Sequence, residues 1–285
     1  MKKNTKKLFS MALAGLMAGS ILTACGGTST EESSSASSAS SQESSSEASA
    51  ESSAAGEDTW VVGTNAEFPP FEEPAADSDE DSVDGYKGID MELIQTIAED
   101  NGATVSINNM EFDSLTIALK NGQCDLVIAG MTITDERSEE VVFSDPYYTA
   151  KQVMIVREDN TDITKATDME GKTIAVIQGF TGEIAVQELG YDYEAFKKGT
   201  EAVQELKNGK CDVVVLDSAT ANQYVEEAGG LKIVEDDETF SSEQYGIAVR
   251  ADDAELLDMV NASIAKLKED GTIDEICMKY SESEA

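Results

Sequence analysis

Asp125-Leu126-Val127-Ile128-Ala129-Gly130-Met131-Thr132-Ile133-Thr134-Asp135-Glu136-Arg137 is the stretch from which the fold is read, and it continues as Ser138-Glu139-Glu140-Val141-Val142-Phe143-Ser144-Asp145-Pro146-Tyr147-Tyr148. The apolar run Leu126 to Ala129 follows a turn signal and reads as a buried strand. It stops at Gly130, where the backbone can approach another group closely. Thr134 stands where a helix N-cap is expected, with Asp135 and Glu136 in a first turn that favours acids. Arg137 therefore lies just past the carboxyl end of a strand, at the start of a helix. In open α/β sheets ligands bind there. A guanidinium at that place either grips a carboxylate by two parallel bonds or pairs with Asp135, Glu136 or Glu140 nearby.

Taken together, Ala129-Gly130-Met131-Thr132-Ile133-Thr134-Asp135-Glu136-Arg137 and Phe143-Ser144-Asp145-Pro146-Tyr147-Tyr148 closely resemble the polar amino-acid-binding proteins of ABC importers, extracellular solute-binding family 3. The resemblance runs from about Trp60 to Tyr280. It implies an α/β, two-lobed periplasmic-binding-protein-like fold of type II, each lobe a sheet flanked by helices, joined by two crossover hinge strands. It also implies that Arg137 clamps the α-carboxylate of a ligand. Thr132 and the Gly130 backbone would add bonds on that wall, beside Met131.

Upstream, Thr59 to Thr64 reads as a first strand ending in Asn65-Ala66-Glu67-Phe68-Pro69-Pro70-Phe71-Glu72, a loop fixed by two prolines. The resemblance places Phe68 against a ligand side chain, with Asn65 and Glu67 at the same edge; Phe71 reads as core. Many family members carry aspartate where Asn65 stands. Pro74 to Asp84 is an acidic insertion. Its Asp77, Asp79 and Asp81 resemble a calcium loop in spacing, but the glycine and distal glutamate of that motif are misplaced. A helix with Ile89, Leu93, Ile94 and Ile97 on its apolar stripe comes next, then a strand over Ala103 to Ile107. A second helix is expected over Phe112 to Lys120. Phe112 is either core or the second aromatic wall that the resemblance implies.

Lys120-Asn121-Gly122-Gln123-Cys124-Asp125-Leu126-Val127 is echoed by Lys207-Asn208-Gly209-Lys210-Cys211-Asp212-Val213-Val214. Each copy is a helix end, a glycine stop and a strand. The separation is too long for a solenoid and fits two lobes of similar topology. In the second, Lys172 to Ile177 reads as a strand, followed by Gln178-Gly179-Phe180-Thr181-Gly182 and a helix whose first N–H groups attract an anion. The family usually has threonine where Phe180 stands and another at Thr181, so Thr181, with Gln178 beside it, is the expected contact. Asp217 ends the strand Val213 to Leu216. It is either a helix cap or, by resemblance, the acceptor of the ligand's α-ammonium group. Tyr147 to Val156 and Ser242 to Val249 read as outward and return crossovers, and two helices broken near Gly271 close the chain. The expected bounds are 58–149 with 244–281 for lobe 1, and 150–243 for lobe 2.

The ends carry a different kind of signal. Four lysines precede an apolar segment from Leu8 to about Ala24, as in an export signal. Leu22-Thr23-Ala24-Cys25 resembles a bacterial lipobox, which makes Cys25 the expected site of lipidation, palmitate included, and residues 1–24 a signal peptide. Residues 25–57 are mostly serine, alanine and glutamate, too poor in large apolar side chains to bury a core; a disordered tether is expected. The chain has 20 basic and 57 acidic residues, a net charge of −37. Setting aside the four signal lysines leaves 16 against 57, or −41, which argues against a nucleic-acid partner. No histidine is present, which removes the commonest general base and a major metal ligand. Cys124, Cys211 and Cys277 fit no zinc spacing, and the first two occupy matching places in the echo, as small buried residues do. No cofactor and no metal is expected.

The expected function is that of a substrate-binding lipoprotein on the extracytoplasmic side of the cell membrane. A monomer, it would capture a free amino acid and deliver it to the permease subunits of an ABC transporter. Glu67, Phe68 and Phe112 suit a cationic side chain, as in arginine or lysine. The alternatives are a glutamine, cystine or broad polar binder, or an exported enzyme resembling cyclohexadienyl dehydratase, in which Glu67 would be the acid or base.

Overall fold

A computed structural model describes residues 58–282; the apolar leader, Cys25 and the serine-rich stretch to residue 57 lie outside the described residues. The first lobe begins with β1 (Asp58–Thr64), the short β2 (Glu73–Pro74) and β3 (Tyr86–Lys87), α1 (Ile89–Asp100) and β4 (Ala103–Asn109). It continues through α2 (Leu115–Lys120), β5 (Leu126–Val127), α3 (Asp135–Ser138) and β6 (Val142–Phe143). β1 pairs in parallel with β4 and β5, the arrangement that crossover helices produce. Leu93, Ile94 and Ile97 of α1 are fully buried, as their 3–4 residue spacing anticipates. Burying each such side chain contributes roughly 1.5–3 kcal/mol.

β7 (Tyr148–Arg157) then leaves the first lobe. The second lobe comprises β8 (Ile174–Ile177), α4 (Thr181–Glu188), β9 (Tyr193–Phe196), α5 (Gly199–Lys207), β10 (Val213–Asp217), α6 (Ser218–Ala228) and β11 (Leu231–Val234). Its strand order is β11-β7-β10-β8-β9. The chain returns along β12 (Ser242–Tyr245), which pairs antiparallel with the first residues of β7, from Tyr148↔Tyr245 to Lys151↔Ser242. β13 (Ala248–Val249) joins the first sheet between β5 and β6, giving β4-β1-β5-β13-β6. α7 (Ala254–Glu269) and α8 (Thr272–Glu282) pack on α1. The described residues thus form two main sheets flanked by helices, with two strands crossing between them, and β2 and β3 pair as a small separate ribbon.

Several local expectations change in detail. The run Leu126 to Ala129 is regular strand only at Leu126 and Val127. Ile128 still donates to the Gly63 carbonyl, but the chain turns away at Gly130, whose φ is 52°. The second helix of the first lobe opens as a 3₁₀ turn, Phe112–Ser114, before α2. Lys172 and Thr173 precede β8, since the Lys172 N–H turns back to Met169. β9 was not anticipated, because its side chains are exposed or only partly buried and carry no apolar run. Cys124 and Cys211 are both buried thiols.

Candidate functional site

Arg137 owes its place to the turn that precedes it. Thr134 caps α3 by accepting the Arg137 N–H at 3.2 Å, and the Gly130 N–H is held by the Asp90 carboxylate at 2.7 Å. No side chain fits at Gly130: a Cβ there would lie 2.5 Å from the Phe68 ring. With the loop so fixed, the guanidinium leaves its acidic neighbours and enters the space between the lobes. It donates to the Thr132 carbonyl at 2.7 Å and to the Gly179 carbonyl of the second lobe at 2.9 Å. It also lies 5.1 Å over the Phe112 ring, a cation–π distance. Burial lowers its pKa, while Asp217, Glu243 and Tyr245 raise it.

Asp217 faces it from the end of β10 and is 3% exposed. It occupies the N-cap position of α6 but makes no capping bond. Its Oδ1 instead accepts the Tyr245 hydroxyl at 2.7 Å. Burial, and then the neighbouring Glu243 carboxylate, push its pKa up to about 6; Tyr245, Gln152 and Arg137 pull it back. A half-buried guanidinium and a buried carboxylate thus stand on opposite lobes, the charge pattern that complements a zwitterion.

Between them lies an aromatic floor. Phe68 meets Phe180 edge-on at 5.2 Å, and Phe180 meets Phe112 at 4.4 Å, across the two lobes. Phe71 is wholly buried behind Phe68, as core. Asn65 is buried and donates to the Met110 carbonyl, fixing its own loop. At the rim, Glu67 is taken by Lys198 of the second lobe at 2.5 Å, and Gln178 donates to Asp113 at 3.0 Å. The rim position leaves Glu67 compensated rather than open to a cation. Met131 departs from the expected wall: its side chain packs with Leu115, Leu119 and Val141 in the core of the first lobe, and its carbonyl accepts the Gly246 N–H. The acidic insertion is likewise engaged, with Asp79 on Lys87 and Asp81 on Lys279.

Thr132 and Thr181 do meet, from opposite lobes, but around a residue that sequence reasoning missed. Glu243 on β12 accepts the Thr132 hydroxyl at 2.9 Å and the Thr181 hydroxyl at 2.6 Å through one oxygen. Each hydroxyl has one proton, so neither can donate to a second acceptor while Glu243 holds it. Thr181 also accepts Gln152 Nε2 at 3.1 Å. The N–H of Gly179 just before α4, one of the expected anion donors, is taken by Glu183 at 2.7 Å. The one legible signal for Glu243 is the alternation on β12, where Glu243 and Tyr245 are less exposed than Ser242 and Gln244.

Residues 60–283 match the family described as bacterial extracellular solute-binding proteins, family 3. A probable histidine-binding protein of Neisseria gonorrhoeae is 33% identical over 284 residues, covering 97% of this chain and 96% of that protein. The arginine-binding extracellular protein ArtP of Bacillus subtilis (strain 168) is 31% identical over 233 residues, covering 79% and 87%. Among solved structures, an ancestral arginine-binding protein bound to glutamine superposes with a TM-score of 0.71 at 42% identity, covering 78% of this chain and 97% of that one.

Proposed function

This chain belongs to the bacterial extracellular solute-binding proteins, family 3, and on that premise we propose that it captures one free amino acid between its lobes for an ABC importer. The observation that carries the reading is the placement of Arg137 and Asp217 on opposite walls of the cleft. A zwitterionic head group satisfies both at once, so the ligand stabilises the closed state that joins them. Phe68, Phe112 and Phe180 offer the apolar faces for the ligand's side chain. Glu67 and Gln178 form the rim, Asn65 fixes the loop that carries Glu67 and Phe68, and Gly130, Thr132 and Thr181 stand on the walls.

A cationic side chain, as in arginine or lysine, is the favoured ligand class. The names of the relatives support it, and so does the negative charge of the cleft. The second reading is a neutral polar amino acid, favoured by the glutamine held in the ancestral arginine-binding protein. Binding, not turnover, is the activity proposed: the two relatives and the solved structure compared are named for what they bind. Export through residues 1–24, lipidation at Cys25 and a tether to residue 57 would place a monomeric binder outside the cell membrane, beside its permease. Lobe bounds of 58–149 with 244–281, and 150–243, fit this use.

The test is calorimetry with arginine on protein freed of carried-over ligand by unfolding and refolding. Charge-assisted hydrogen bonds contribute about 1.5–3 kcal/mol each, so Arg137→Ala weakens binding by at least about a hundredfold. Normal binding by that variant would place the site elsewhere.

A further inference from the structure

Glu243 has no role in the reading above, yet its carboxylate lies at the junction of both lobes and a hinge strand. Thr132 from the first lobe and Thr181 from the second donate to the same oxygen. Gln152, on the other hinge strand, supports Thr181 from behind. Glu243 also acts electrostatically on both charged groups of the cleft: it raises the pKa of Arg137 and of Asp217. The cleft therefore holds two carboxylates against one guanidinium.

The surroundings leave that excess in place. Glu67 and Glu111, at the rim, are each matched by a lysine of the second lobe, Lys198 at 2.5 Å and Lys197 at 3.6 Å. Glu243 has hydroxyl partners, which are neutral. Beyond it opens a cavity of about 670 Å³ whose lining carries Asp135, Glu136, Glu188 and Glu243 and, among the described residues, no lysine or arginine. Gln152, which supports Thr181, lines the same cavity. A neutral amino acid brings one positive and one negative charge, which Asp217 and Arg137 match, and leaves Glu243 uncompensated. A cationic amino acid brings one further positive charge.

We propose that Glu243, held by Thr132 and Thr181, sets a preference for amino acids of net positive charge through the charge it adds to the closed cleft. The inference rests on the amino-acid-binding reading and names the residue behind its ligand class. In a partly buried site such attraction is several times stronger than in bulk water. Loss of one unit charge should therefore shift the arginine-over-glutamine affinity ratio by about tenfold or more.

The experiment is calorimetry of the full chain with arginine and with glutamine, for wild type, Glu243→Gln, Glu243→Asp and Glu243→Ser. The expected result is a ratio that falls at least tenfold in Glu243→Gln and in Glu243→Ser, and stays within about threefold of wild type in Glu243→Asp, which keeps the charge. A merely structural role would change both affinities alike and leave the ratio where it was. An unchanged ratio in a charge-removing variant that binds overturns the inference alone, as does wild type that binds glutamine as tightly as arginine. Wild type that binds neither ligand overturns the amino-acid reading itself.

Discussion

Asp217 is the residue on which pH acts most directly. Its pKa is pushed up to about 6, first by burial and then by Glu243. An ammonium group is received by the ionised form alone. Affinity for arginine is therefore flat near pH 7.5 and falls as pH drops through about 6, by about tenfold for each further unit. Titrations at pH 7.5, 6 and 5 check this; equal affinity at pH 7.5 and 5 would mean that Asp217 is not the acceptor. At this scale the sequence was informative where chemistry is local. Thr134 caps the helix of Arg137 three residues on, and Asp217 stands at its helix start. The alternation on β12 marked Glu243 as facing inward, but its role was not legible, because its two partners are 111 and 62 residues away. The pairing of Glu67 with Lys198 spans 131 residues and escaped for the same reason.

At the scale of elements, the start of α1 carries the loop that carries the site. Asp90, in the first turn, accepts the Gly130 N–H at 2.7 Å and the Tyr147 hydroxyl at 2.8 Å. Glu72 is also fully buried, and the two carboxyl groups act on each other's protonation. Burial raises Glu72 well above the usual carboxylate range and Asp90 to about 7. Because the folded state holds these protons more tightly than the unfolded chain, the stability they give is complete below about pH 4. It is lost as pH rises through about 7. Thermal unfolding should thus show a melting temperature that falls between pH 5 and 8, with a shallower fall in Asp90→Asn. A slope untouched by that substitution would assign the dependence to other groups. The apolar stripe of α1 was readable from spacing, but a buried acid reads from sequence as one more solvated charge. The same limit hid β9, whose edge position leaves it without an apolar run.

The whole molecule closes one lobe on the other, and the rim contacts are too weak to decide that closure. Glu67–Lys198 and Glu111–Lys197 are partly exposed pairs, a type worth about 0–1 kcal/mol each. Further in, the lobes are joined by the Arg137 bond to the Gly179 carbonyl and by Glu243, which accepts Thr132 from one lobe and Thr181 from the other. This architecture was largely visible beforehand. The echo of Lys120 to Val127 in Lys207 to Val214 marked two lobes, and the return to the first was expected at Ser242 to Val249. β12 and β13 make that return, and α7 and α8 pack on α1. What the pattern could not give was the angle between the lobes, which depends on side chains from both meeting in one place.

The central claim is that Arg137 reads the carboxylate of an amino acid while Asp217 reads its ammonium group. Calorimetry of the ligand-stripped protein with arginine, arginine methyl ester and Nα-acetylarginine tests it most directly, because each derivative blocks one end and keeps the side chain. The account predicts one-to-one binding of arginine and a loss of at least about a hundredfold for each derivative. Binding of both derivatives as tightly as arginine would contradict it.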